Sequence, residues 1–103
     1  MGSASALLED ERKLRTMQMQ DEAAEWIATA ATTLDVRPTL EQGGEPFMEI
    51  MQAAAGIQPG ASLVIIAPFE PAPLYGALGG RGFSHTTQRR SDDEWVIRFT
   101  RDQ

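Results

Sequence analysis

The chain has 103 residues, the size of one domain. It carries 9 basic and 15 acidic residues, a formal net charge of −6, one histidine and no cysteine. This composition excludes disulfides, zinc–thiolate and iron–sulfur centres and cysteine nucleophiles, leaves only His85 for a catalytic triad, and disfavours general nucleic-acid binding, which needs a basic footprint.

The hydrophobic share of 42% is that of a globular protein. The longest apolar run, residues 63–67, is far shorter than the ~20 residues that span a bilayer. The N-terminus has no basic stretch followed by an apolar one, so no secretory signal is expected. The expected location is the cytoplasm, with no membrane partner.

Residues 1–28 carry three basic and six acidic residues with loosely spaced leucines and methionines. They are expected to form an N-terminal arm, helical or disordered, ahead of one α/β domain at residues 29–103. Within the arm, residues 21–25 lead with acids into Trp26 and Ile27, the pattern of a first helical turn. Those two side chains are expected to dock on the domain.

Leu34-Asp35-Val36-Arg37 alternates apolar and charged residues and meets Pro38, which predicts a first strand ending at Arg37. A turn-rich stretch follows to Gly44. Glu45 and Pro46 then open a helix, the carboxylate accepting amide hydrogens and the proline suiting the first helical position. Phe47, Ile50, Met51 and Ala54 recur at helical spacing and predict one apolar face, ended by Gly56. Residues 62–67 are apolar and rich in β-branched side chains, as a buried central strand requires, and Pro68 stops them. Residues 70–73 open a second helix carrying Leu74, Tyr75, Ala77 and Leu78 and closed by Gly79-Gly80. Residues 83–88 and 94–100 predict two strands, with Trp95, Ile97 and Phe99 on one face and Val96, Arg98 and Thr100 on the other. The order β-α-β-α-β-β predicts a two-layer α/β sandwich, a four-stranded mixed sheet with two helices on one face.

Leu34-Asp35-Val36-Arg37-Pro38, Gly43-Gly44, Glu45-Pro46-Phe47, the Pro59-Gly60 turn and Pro71-Ala72-Pro73-Leu74-Tyr75 together resemble the TusA/SirA-like superfamily. The nearer resemblance is to its cysteine-less branch, domain-of-unknown-function family 2249, over residues 32–101. The resemblance implies the same sandwich. Better-known superfamily members carry sulfur as a persulfide on a cysteine ahead of the first helix. This chain has no cysteine, so it cannot relay sulfur that way. The branch often has His-Asp-Pro after its second strand. Phe69, Glu70 and Pro71 stand at those positions, so no histidine-based role carries over. The branch's association with hemerythrin-like domains and with respiratory and nitrogen-oxide metabolism implies a second reading. In it, the chain is an accessory protein or enzyme of sulfur or nitrogen-oxide redox metabolism using an external cofactor.

The candidate ligand-binding residues are Arg37, Gly44, Glu45, Pro46, Glu70 and Tyr75. Free amides and glycines at the helix entry, with Arg37 nearby, suit an anion, unless Glu45 already caps those amides. Arg37 is placed to pair across the sheet end with Glu45 or Glu70, or to serve only as a structural ion pair. Glu70 and Tyr75 suit acid–base work or, more simply, an N-cap and a core-rim aromatic. His85 is alone, and no metal-ligand set, cofactor or catalytic residue is expected. The expected function is a small non-catalytic binding or regulatory module, acting through a protein partner, a homodimer or a small anionic ligand.

Overall fold

The computed structural model describes residues 21–103. The arm expected at the N-terminus lies, for residues 1–20, outside the described residues. Helix α1 (Glu22–Thr29) leads into strand β1 (Thr32–Asp35). The short helix α2 (Arg37–Glu41) and helix α3 (Phe47–Ala55) follow, then strand β2 (Ser62–Ala67). Helix α4 (Ala72–Gly79) and the hairpin of β3 (Phe83–Ser91) and β4 (Glu94–Arg101) complete the chain.

The four strands form one mixed sheet in the order β1-β2-β4-β3. β1 runs parallel to β2, with Leu34 opposite Ile65, and β4 runs antiparallel to both β2 and β3, with Ile97 opposite Ile65 and Thr87. Laterally paired residues share a face. Leu63, Ile65, Ala67, Ile97 and Phe99 therefore meet Ile50, Met51 and Ala54 of α3 and Leu74 and Leu78 of α4 in the main core. Both of these helices lie on that one face, the two-layer sandwich expected.

The other face is not bare. Val64, Ile66 and Val96 are covered by Ala23 and Trp26 of α1, with Ile27 and Ala30 packed alongside. Trp26 is only 5% exposed. Its indole also carries the Arg98 guanidinium, 5.0 Å from the ring centroid, close enough for a cation–π contact. Trp26 and Ile27 thus dock as expected. Cover on both faces explains why β2 is a continuous apolar run and not an alternating one.

Two local expectations are corrected. β1 stops at Asp35, two residues short of Arg37, and residues 37–41 are a helix and not a turn. Pro38 lies in the first helical turn. There its missing N–H costs nothing and its fixed φ suits the helix. The Leu40 amide donates to the Val36 carbonyl at 3.1 Å, so the chain bends into α2 directly from the strand. β3 also runs on to Ser91, with an irregular register at Arg89, which leaves Asp92 and Asp93 as the hairpin turn.

Gly43 closes α2 with φ +79°, its amide donating to the Leu40 carbonyl at 3.0 Å. A Cβ there would meet nothing within 4 Å, so the left-handed backbone alone sets the cost of a side chain. Gly43→Ala is expected to lower stability by about 1 kcal/mol, seen as a fall in Tm of roughly 4–8 °C. An unchanged Tm would contradict this account of the turn.

Candidate functional site

The carboxyl ends of the parallel strands β1 and β2 are where α/β sheets place ligands. Beyond them, α2 leaves β1 and the 68–71 segment leaves β2, and the starts of α3 and α4 stand on either side. A groove of about 520 Å³ opens between them. Val36, Ile50, Ile65, Ala67 and Leu74, all buried, form its deeper lining. Leu40, Pro46 and Phe47 lie on one side, and Phe69, Pro71 and Pro73 on the other. Phe47 and Phe69 are 43% and 53% exposed. Phe47 therefore departs from the buried face expected for α3. It occupies the first helical position and lines the groove instead.

Glu45 is the one ionisable side chain in the lining. Its Oε1 accepts the Phe47 amide at 3.0 Å, satisfying a donor that the helix start leaves unpaired. Pro46 beside it is buried. Gly44 packs against α2, its amide donating to the Thr39 carbonyl at 2.8 Å, and a Cβ would come within 3.0 Å of Thr39 Cγ2. Close approach of the two segments is what glycine permits there.

Arg37 does not line the groove. Its Nε and Nη2 donate to both Asp35 oxygens, at 3.0 and 2.8 Å. Its Nη1 lies 3.7 Å from Glu94, which also meets Arg90, and Arg90 reaches Asp21 at 3.2 Å. The guanidinium thus belongs to an ion network tying the end of β1 to the hairpin and the start of α1. The Arg37 hydrogen bond holds the Asp35 carboxyl below the usual carboxylate range, against a smaller opposing effect of burial. The side chains are 33% and 38% exposed, so solvent screens the pair.

A depressed folded-state pKa gives stability that is full above the unfolded pKa and is lost as pH falls through the folded one. The stability advantage of the native chain over Asp35→Asn is therefore expected to be constant near neutrality and to vanish in strong acid. Urea unfolding of both proteins across the acid range checks this. An advantage that persists in strong acid would contradict it.

Glu70 and Tyr75 are brought together. The Tyr75 hydroxyl donates to Glu70 at 3.3 Å and lies 2.8 Å from the Thr87 hydroxyl. Its ring stacks on His85, centroids 3.9 Å apart and planes within 1°. Burial, with the Glu70 carboxylate adding to it, pushes the Tyr75 phenol above its ordinary pKa. The phenol is protonated at neutral pH and is no general base. Glu70 makes no side-chain cap on α4, whose N-cap is Pro71. Neither Glu70 nor Tyr75 lines the groove, although Glu70 stands between two residues that do.

The six sequence candidates thus divide. Glu45 and Pro46 reach the groove, Glu70 and Tyr75 form a pair outside it, Arg37 joins the ion network, and Gly44 packs under α2. Sequence reasoning missed Phe69, whose signal was a large apolar side chain between Pro68 and Glu70, outside any strand or helix. Among the described residues no group of three or more histidine, aspartate or glutamate side chains is placed to hold a metal ion, and no helix is long and apolar enough to cross a membrane.

Residues 33–101 match the family model described as an uncharacterised conserved protein, DUF2249, and the chain belongs to that family. No curated protein and no solved structure matches it.

Proposed function

We propose that this DUF2249 chain is a non-catalytic binding module that holds an apolar group in the groove between α3 and α4. The observation that carries this reading is the lining itself: every residue except Glu45 is apolar, over about 520 Å³, within the size range of ligand pockets. Catalytic pockets add several convergent polar groups, and here Glu45 is engaged by its own helix start. Kinship with the TusA/SirA-like superfamily is part of the proposal, supported by the motif order and by two helices on one face of a mixed sheet. Persulfide transfer is not part of it, because the chain has no cysteine. The cytoplasm is the proposed place of action.

A neutral apolar dye, Nile red, tests the reading. The native chain is expected to take it up with a rise in fluorescence. Phe69 is 53% exposed, so Phe69→Ser is expected to change stability by less than about 0.5 kcal/mol while abolishing most of the fluorescence rise. No dye uptake by the native chain, or uptake unaffected by both Phe69→Ser and Phe47→Ser, would refute it.

A further inference from the structure

All of the groove lining except Val36 comes from one segment with an unusual charge content. Residues 38–80 contain Glu41, Glu45, Glu49 and Glu70 and no lysine, arginine or histidine. All four glutamates are exposed. Glu45 lines the groove, and Glu70 stands in the chain between the lining residues Phe69 and Pro71. The nearest sequence cation before this segment, Arg37, is held by Asp35 and Glu94. The groove is therefore an apolar trough with one carboxylate in its lining, Glu45, and a second, Glu70, in the segment that forms its wall.

An anion would find no cation in the lining, whose one ionisable side chain is the Glu45 carboxylate. A neutral apolar molecule would fill the trough but leave the Glu45 and Glu70 carboxylates unanswered. We infer that the groove docks a short amphipathic segment of a partner protein, with apolar anchors seated on Phe47, Phe69 and Leu74 and lysine or arginine flanking them to meet Glu45 and Glu70. Apolar anchors supply the affinity, and the flanking charges set orientation and association rate. This inference rests on the binding reading above and adds the chemistry of the occupant.

The probe is a short labelled peptide of leucine and lysine, with a twin in which glutamate replaces every lysine. Both are titrated by fluorescence anisotropy against the full chain. The lysine peptide is expected to bind, more weakly as salt rises, since screening acts within roughly 10 Å at 0.1 M salt. The glutamate twin is expected to bind at least about tenfold more weakly, a difference of roughly 1.4 kcal/mol. Glu45→Lys should weaken the lysine peptide about as much. Glu45→Gln, which keeps an oxygen to accept the Phe47 amide, separates loss of charge from loss of the helix cap. Phe69→Ser should remove binding of both peptides.

Equal binding of the two peptides would overturn the charge requirement, and failure of both would overturn the docked segment. In either case Nile red uptake by the native chain leaves the binding reading standing, whereas loss of both signals ends both. Two other occupants are tested in the same experiment. If joint Arg12→Ser, Lys13→Ser and Arg15→Ser substitution raised peptide affinity about tenfold, the chain's own N-terminal residues would be the occupant and the partner would be excluded. If sedimentation showed a dimer that Phe69→Ser dissociates, a second copy would be the occupant, again overturning the proposal.

Discussion

Trp26→Ala is expected to lower the unfolding free energy by about 3–5 kcal/mol. α1 has eight residues, and isolated helices shorter than ~12–15 residues are marginal in water. It is a helix because Trp26 and Ala23 seat it on Val64, Ile66 and Val96. Alanine removes the indole from that contact and takes the ring away from Arg98, whose cation–π contact is worth about 1 kcal/mol. The buried Nε of Arg98 has no hydrogen-bond partner among the described residues. Far-UV circular dichroism should show lost helix, and Trp95 serves as the fluorescence probe for urea unfolding. A loss below about 1 kcal/mol, with helix content unchanged, would mean that α1 is not held by this face.

Phe99→Ala is expected to cost a similar amount, about 3–5 kcal/mol, for a different reason. Phe99 is 1% exposed and sits on β4 between Leu63 of β2 and His85 of β3. Its ring centroid is 6.3 Å from that of Tyr75 and 6.2 Å from that of His85. Truncation leaves a cavity under α4 and removes the support of the Tyr75–His85 stack. Domains of this kind are stable by only about 5–15 kcal/mol, so a substantial fraction of the variant should be unfolded at modest urea. Phe69→Ser is the matched control, since the same residue type at 53% exposure should cost almost nothing. Equal losses at Phe99 and Phe69 would contradict the burial assignment.

The sheet was legible because its residues obey simple periodicities. The run at residues 62–67 read as a buried central strand, and the alternation from Trp95 to Thr100 placed each side chain on the correct face. Glu45 as acceptor for the first amide of α3 was equally readable, because capping is a local interaction. What failed was local sequence with two physical outcomes. Pro38 can end a strand or open a helix, and the neighbouring residues do not decide between them. Phe47 fits the apolar period of α3, yet at the helix start it is 43% exposed and lines the groove.

The site was less legible than the fold. Its apolar walls come from segments far apart in sequence, and apolar residues announce a core and not a groove. Arg37 drew notice together with Asp35 at a strand end, as an ion pair or a ligand contact. Its bidentate partner Asp35 lies two residues away, but Glu94 and the network beyond it come from the far hairpin. Phe69, the more exposed of the two phenylalanines in the lining, carried only the signal of an aromatic in a loop.

Methyl chemical-shift mapping during titration with the leucine–lysine peptide tests the groove most directly. The account predicts shifts at Ile50, Ile65 and Leu74, which line the groove. Val64 and Val96, under α1 on the opposite face, should stay unchanged. Shifts confined to Val64 and Val96, or none at Ile50, Ile65 and Leu74 at saturating peptide, would contradict it.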